Sequence, residues 1–167
     1  MGGALFLQDA ETDSPPQPTP TFQRLFTDLA IDDLQAIELR MPTYERPLIF
    51  VREPDGSWSS PDIAGELDQE AVSNMAATLV ILPYRRSFPI EDDTDLGQYG
   101  ISPTPDFIVQ FITFDGEQHS VAFGDPSFES LTFYTLVDDR QQIYLVERPP
   151  VDYLVTNFIN PPILQPD

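Results

Sequence analysis

Alternating hydrophobic and polar positions divide the first half of the chain into two strands and one helix. From residue 36 to residue 41 every second residue is apolar, which is the pattern of a half-buried strand. A second strand over Leu48–Arg52 leads into a Pro-Asp-Gly turn. Between Asp68 and Leu82 the apolar residues recur at helical spacing, and Asp68 is placed to cap the first turn. The helix is expected to end before Pro83.

The second half of the chain consists of shorter apolar runs that predict further strands. The stretch "PYRRSF" forms one, and four more are predicted at Phe107–Phe114, His119–Phe123, Thr132–Val137 and Gln142–Glu147. Asp115-Gly116 and Asp138-Asp139 are pairs typical of tight antiparallel hairpins. After two prolines, Val151 to Phe158 has the apolar spacing of a short terminal helix. Because strands and helices do not alternate regularly, the pattern predicts an α+β fold: a mostly antiparallel sheet or sheets, one central amphipathic helix and a short C-terminal helix.

Proline usage marks the ends of this domain, since half of the 18 prolines lie near the two termini. The start, "MGGALFLQDAETDSPPQPTPTF", passes from small and apolar residues to an acidic, proline-rich stretch. That order is typical of the outer end of a membrane anchor or signal segment that joins a linker, and an expression scar before a frayed terminus is the alternative. We therefore expect residues 1–21 to be a linker after a removed anchor, residues 22–164 a single α+β domain, and residues 165–167 a tail.

Charge narrows the range of partners. The 28 acidic residues exceed the 8 basic ones by enough to give a formal charge of −20. Nucleic acid is excluded as a partner, because its binding relies on Lys and Arg that displace counterions from phosphates. Anionic lipid surfaces are disfavoured for the same reason, so the membrane is expected to be reached only through a missing N-terminal anchor. Without cysteine the chain has no thiol nucleophile, disulfide or cysteine metal site.

Catalytic machinery is not evident in the sequence. His119 is the single histidine, and strand alternation places it on one face with Val121 and Phe123, at the edge of the core. No Gly-x-Ser-x-Gly elbow supplies a nucleophile for it, and no phosphate-binding Gly-Lys-Ser or Gly-Lys-Thr motif is present. We expect no catalytic residue, no cofactor and no enzymatic activity.

Two groups of residues are weak candidates for ligand binding. The acidic run "EDDTD" offers Glu91, Asp92, Asp93 and Asp95 as oxygen ligands for a cation, although it lacks the alternating order of a calcium loop and is more typical of a solvated charge run. Trp58 and Tyr99 could stack on a sugar or serve as structural aromatics. The alternative function is therefore a cation-binding or glycan-binding module.

The order of turns and motifs resembles a known family. "DGSW", the helix "DQEAVSNMAATLVIL", the elbow "DLGQYGISPTPDFIVQFITFDG", "HSVAFGDPS", "FYTLVDDRQQIYLV" and "VDYLVTNF" follow one another as in domain-of-unknown-function family 4340. Family members are typically encoded beside ABC-transporter permeases and gliding-motility-type auxiliary proteins, and often carry an N-terminal anchor. The resemblance implies a non-enzymatic, membrane-tethered accessory or interaction domain on the extracytoplasmic face of the cell membrane, periplasmic or extracellular. Its implied partner is a permease or auxiliary subunit of a membrane transport system.

The elbow in this motif also predicts a local backbone conformation. Tyr99-Gly100 is expected to turn the chain at the end of the acidic run, after which Phe107 starts a series of adjacent strands. A turn of this kind needs a backbone conformation with positive φ, which glycine adopts without steric cost. Gly100 is therefore predicted to have a positive φ.

Overall fold

A nine-stranded antiparallel sheet with two helices forms the part of the chain that the computed structural model describes, residues 22–164. The predicted linker (1–21) and tail (165–167) lie outside the described residues. The strands are β1 (Gln23–Arg24), β2 (Leu34–Arg40), β3 (Leu48–Arg52), β4 (Trp58–Ser59), β5 (Pro83–Pro89), β6 (Phe107–Thr113), β7 (Gln118–Pro126), β8 (Thr132–Val137) and β9 (Gln142–Glu147). The helices are α1 (Gln69–Val80) and α2 (Arg148–Ile159).

The strand order across the sheet is β1-β5-β9-β8-β7-β6-β2-β3-β4, and every neighbouring pair is antiparallel. Strands β6 to β9 follow one another as a meander, joined at the predicted Asp-Gly and Asp-Asp turns. Gly116 and Asp138 both have positive φ, of 92° and 50°, as tight hairpin turns require. The predicted α+β class, antiparallel sheet and short terminal helix are therefore confirmed.

Helix α1 forms where the apolar period changes. Its N-cap is Asp68, whose carboxylate accepts a hydrogen bond from the backbone N–H of Ala71 at 3.2 Å. Each predicted apolar position is buried: Val72, Met75, Ala76, Leu79 and Val80. Helix α2 begins with prolines in its first turn, where the missing N–H costs no intrahelical bond. Helix α1 therefore starts at its predicted cap, whereas α2 starts at Arg148, three residues before the predicted Val151.

The helices cover one face of the sheet, which we call the inner face. One hydrophobic cluster joins α1 and α2 to inward side chains of the strands, and Phe50, Val109 and Phe123 are each at most 1% exposed. Burial of a side chain of this size contributes about 1.5–3 kcal/mol. This cluster is the main core of the molecule, and it leaves the opposite face of the sheet, the outer face, to be covered by other means.

Arginine side chains connect distant segments to this core. The eight basic residues of the chain are all arginine. Arg24 donates to the carbonyls of Leu29 and Val80, and Arg140 donates to that of Leu25. In the same way Arg52 binds the carbonyl of Ile31, and Arg148 that of Ser130. Half of the positive charges are therefore used to bind main-chain carbonyls.

Several local features differ from the sequence-based expectations. Strands β1 and β4 contain two residues each, too few for an alternating pattern, and the sequence did not predict them. Strand β2 begins two residues before the predicted strand, and β7 continues three residues past Phe123 with a bulge before Pro126. Within residues 22–164 no helix has the length and apolar character needed to cross a membrane.

Candidate functional site

The outer face of the sheet has a covered half and an open half. Residues 90–106 cross the strands β7, β8 and β9 as a loop that contains a short 3-10 helix, Leu96–Tyr99. The ring of Tyr99 lies 4.7 Å from that of Tyr134 and 5.6 Å from that of Phe88. We call this segment the elbow loop. Its Ile101 and the β9 residues Ile143 and Leu145 are at most 5% exposed and stand apart from the main core cluster. The elbow loop therefore gives this half of the face a small second core.

Two glycines allow the elbow loop to approach the sheet. Gly100 has φ +75°, as predicted, and ends the 3-10 helix. Opposite it, Gly124 in β7 has no room for a side chain: an added Cβ would lie 3.0 Å from the carbonyl carbon of Gly100 and closer still to the carbonyl oxygen of Tyr99. The contact between the elbow and the sheet is therefore made by backbone on backbone.

The open half of the outer face lies on the other side of Gly124. Register places eleven side chains there, on four adjacent strands: Ala36, Glu38 and Arg40 of β2, Ile49 and Val51 of β3, Ile108, Gln110 and Ile112 of β6, and Gln118, Ser120 and Ala122 of β7. Within residues 22–164 none of the eleven belongs to the main core cluster. Six are apolar and half-buried. Its two charges form an ion pair, Arg40 with Glu38 at 2.8 Å, so this surface is neutral in a chain of charge −20.

A shallow cleft of about 410 Å³ lies over the centre of the open half, where Ile49, Gln110 and Ile112 form part of its lining. It reaches His119 at one end, at the hairpin ends of β7 and β8. The Nδ1 atom of His119 lies 2.8 Å from a carboxylate oxygen of Asp138, whose other oxygen accepts the backbone N–H of Ser120 at 2.7 Å. The side chain of Asp138 thus connects His119 of β7 to the β8–β9 turn.

A second cleft of about 520 Å³ lies on the other side of His119 and is rich in carboxylates. A hydrogen bond from the Thr113 hydroxyl, followed by one from the backbone N–H of Glu117, lowers the pKa of Asp115 in this cleft. The imidazole of His119 packs against the rings of Phe26 and Phe111, at 5.3 and 5.1 Å between centroids. The arrangement is that of a half-buried histidine at the edge of the core, in agreement with the strand alternation.

The acidic run lies in the exposed first part of the elbow loop. Glu91, Asp92 and Asp93 are exposed, and Asp95 uses its carboxylate to accept the N–H of Gly97 at 3.0 Å, which caps the 3-10 helix. In the described part of the chain no group of three or more His, Asp or Glu side chains is arranged to hold a metal ion. The structure thus gives Asp95 a local role as a helix cap.

The two candidate aromatics lie apart from each other. Trp58 is 3% exposed within the main core, with the guanidinium of Arg52 4.3 Å from its ring centroid. Its backbone N–H and carbonyl both bind the side chain of Gln69, at 2.7 and 2.8 Å. The half-buried Tyr99 anchors the elbow loop. Trp58 presents no open face for stacking on a sugar, and the structure does not bring the two rings together.

The sequence contained one signal for the open half that the strand assignment did not use. Strand β6 reads "FIVQFIT", in which apolar residues occupy both alternating sets of positions. Val109 and Phe111 belong to the main core, whereas Ile108 and Ile112 point to the outer face. A run without alternation is typical of a strand that is apolar on both faces. It indicated a second apolar face before the structure located it.

Comparison with known proteins gives a single match. No curated protein and no solved structure matches the chain. A family model described as Domain of unknown function (DUF4340) matches residues 28–167, a span that includes the open half and the elbow loop. This span exceeds half of the chain, and it agrees with the order of motifs from "DGSW" to "VDYLVTNF". The chain therefore belongs to the DUF4340 family.

Proposed function

We propose that this protein is a non-enzymatic interaction domain whose working surface is the open half of the outer face. The observation that carries the proposal is the neutral, apolar character of this surface on a strongly acidic chain. Its six apolar side chains lie on four adjacent strands, on both sides of a row formed by Glu38, Gln110 and Ser120. Apolar patches of this kind on a soluble domain are typical of protein interaction sites.

The face suits a partner better than the edges of the sheet do. Each edge ends in a strand of two residues, β1 on one side and β4 on the other. Next to β4, the backbone N–H of Ile49 donates to the carboxylate of Asp62 at 3.3 Å, which occupies a donor that an added strand would need. Short edges and a charge at the edge oppose strand addition. A partner would therefore lie flat on the face.

The partner that we propose is a permease or auxiliary subunit of an ABC-type membrane transport system, with the domain on the extracytoplasmic face of the membrane. Support comes from the family to which the chain belongs, whose members are typically encoded beside such proteins, and from the neutral charge of the open half. The charge of −20 on the chain would repel anionic lipid headgroups, whereas the open half would not.

Site-specific photo-crosslinking in native cells tests this function. A photoreactive phenylalanine analogue replaces Gln110, an exposed residue of β6 at the centre of the open half, in the complete protein. The matched control carries it at Asn74, which is exposed on α1. We expect adducts with transport-system subunits from position 110 and none from position 74, identified by mass spectrometry.

This experiment tests the docking surface and the partner separately. Equal adducts from both positions, or none from position 110, would show that the open half is not the docking surface. Adducts from position 110 with proteins unrelated to transport would keep the surface and remove the proposed partner.

A further inference from the structure

A second surface, distinct from the open half, displays an aromatic side chain on a hydrogen-bonded turn. Residues 127–131 connect β7 to β8, and we call them the Phe128 loop. Phe128 is 99% exposed and Leu131 is 48% exposed. Burial of an aromatic ring is among the larger contributions to binding, so the exposed ring of Phe128 is available to a partner.

The Phe128 loop is held in one conformation by its own hydrogen bonds. The N–H of Ser127 donates to the carbonyl of Thr132 and that of Ser130 to the carbonyl of Ser127, both at 2.8 Å. Ser130 has φ +61°, in the left-handed region, and its carbonyl accepts from the guanidinium of Arg148 at 3.3 Å. Hydrogen bonds within the loop restrict its backbone, which reduces the conformational entropy that association has to remove.

The loop itself forms one side of a cleft of about 340 Å³ on the outer face, and Arg86, Tyr134 and Leu145 form part of the opposite lining. The same surface therefore offers a projecting ring and a concave site next to it. A surface that contains both shapes can pair with a rotated copy of itself, since a twofold axis brings each projection to the cleft of the other copy.

The charges of this surface are also balanced. Glu147 forms an ion pair with Arg85 and raises the pKa of its guanidinium. Arg86 and Glu129 both line the cleft, are exposed, and make no ion pair within residues 22–164. A second copy of a chain of charge −20 is repelled at acidic surfaces but not here. Opposite free charges on one surface can pair across a twofold axis.

We propose that two copies of this chain associate about a twofold axis through the Phe128 loop, with Phe128 of each copy in the cleft of the other and Arg86 facing Glu129. Two buried phenylalanines and their surroundings cover less area than a standard interface, so the dimer is weak and forms as protein concentration rises. The open half of the outer face is not used and stays accessible.

Analytical ultracentrifugation of the full chain over a wide concentration range tests the dimer. Phe128→Ala should raise the dissociation constant about tenfold or more. Ile81→Ala, which removes an apolar side chain that is 54% exposed at the end of α1, is the control and should leave the constant unchanged. Thermal melts of both variants should match the parent, since both side chains are exposed.

Charge reversal gives an independent test of the twofold arrangement. Arg86→Glu and Glu129→Arg each place like charges opposite one another in a homodimer, so each variant alone should be monomeric at concentrations where the parent dimerises. An equimolar mixture restores opposite charges at both contacts of the heterodimer, and dimerisation should return.

Three results would overturn the proposal. The first is a parent chain that stays monomeric at every concentration. The second is a dimer that Phe128→Ala does not weaken, or a mixture of the two charge variants that does not associate. The third is a monomer that sediments with phosphatidylcholine vesicles in a Phe128-dependent manner, which would assign the loop to a lipid interface.

Discussion

The two halves of the outer face belong to the same sheet but differ in how they are covered. Over β8 and β9 the chain supplies its own cover, the elbow loop, and Ile143 beneath it is fully buried. Over β2, β3 and β6 the apolar side chains remain half-buried, and Ile108 and Ile112 contribute nothing to the main core. The comparison shows that apolar strands alone do not determine burial. The position of one glycine-bearing elbow separates a second core from a surface available for docking.

Truncation of one isoleucine on each half should give the largest difference in the free energy of unfolding. Ile143→Ala removes a fully buried side chain and should cost about 3–4 kcal/mol, whereas Ile112→Ala on the open half should cost about 1 kcal/mol. Urea unfolding followed by circular dichroism measures both free energies of unfolding. Equal losses would mean that the two halves are buried alike and would remove the basis for a docking surface.

A methyl group added to Gly124, at the junction of the two halves, should have the next largest effect on stability. Gly124→Ala forces the backbone of Tyr99 and Gly100 away from β7 and should cost about 2–3 kcal/mol, with a fall in Tm of roughly 6–10 °C. Ala122→Val, two residues earlier on the same face, is the matched control and should change stability by less than about 0.5 kcal/mol. A tolerated Gly124→Ala would show that the elbow loop is not fixed to the sheet at this point.

The smallest effect is expected from removal of the charge of Asp106, which lies where the elbow loop joins β6. Partial burial, with a further contribution from the charge of Asp125, raises the pKa of Asp106. A raised pKa means that the folded state binds the proton more tightly than the unfolded state, so this group's contribution to stability falls as pH rises through the folded pKa. Asp106→Asn should therefore stabilise the protein at neutral pH, by less than about 0.5 kcal/mol because the side chain is exposed.

Differential scanning calorimetry at two pH values checks the expected direction of this effect. The gain in Tm, about 1 °C, should be present at pH ~7 and absent at about pH 3, below the usual pKa of aspartate near 3.9. Asp92→Asn removes the same charge from the exposed acidic run and controls for net charge. A stabilisation that persists in acid would assign the effect to packing of the amide and not to titration.

Local sequence accounted for the helices and for most strands because their signals are short in range. The N-cap at Asp68, the apolar period of α1 and the Asp115-Gly116 turn each operate within a few residues. The order of strands was not accessible in this way. Strand β5 pairs with β9, about 60 residues away, and β2 pairs with β6, because of contacts that no local pattern encodes.

The candidate site escaped prediction for a related reason. Alternation in β2 identified the inward residues and placed Glu38 and Arg40 on the other side of the strand. Only pairing with β6 brings Ile108 and Ile112 beside them to form a neutral patch. The positive φ of Gly100 could be predicted from its turn, but its close approach to Gly124 could not, since 24 residues separate the two glycines in the sequence.

The use of arginine to bind main-chain carbonyls has a consequence for alkaline conditions. A lysine in the place of Arg24 or Arg140 would lose its charge near pH 10, and with it the stronger form of the bond to the carbonyls of Leu29 or Leu25. A guanidinium keeps its proton well beyond that pH. Attachment of the segment before β2 through arginine is therefore expected to be less sensitive to alkali than attachment through lysine would be.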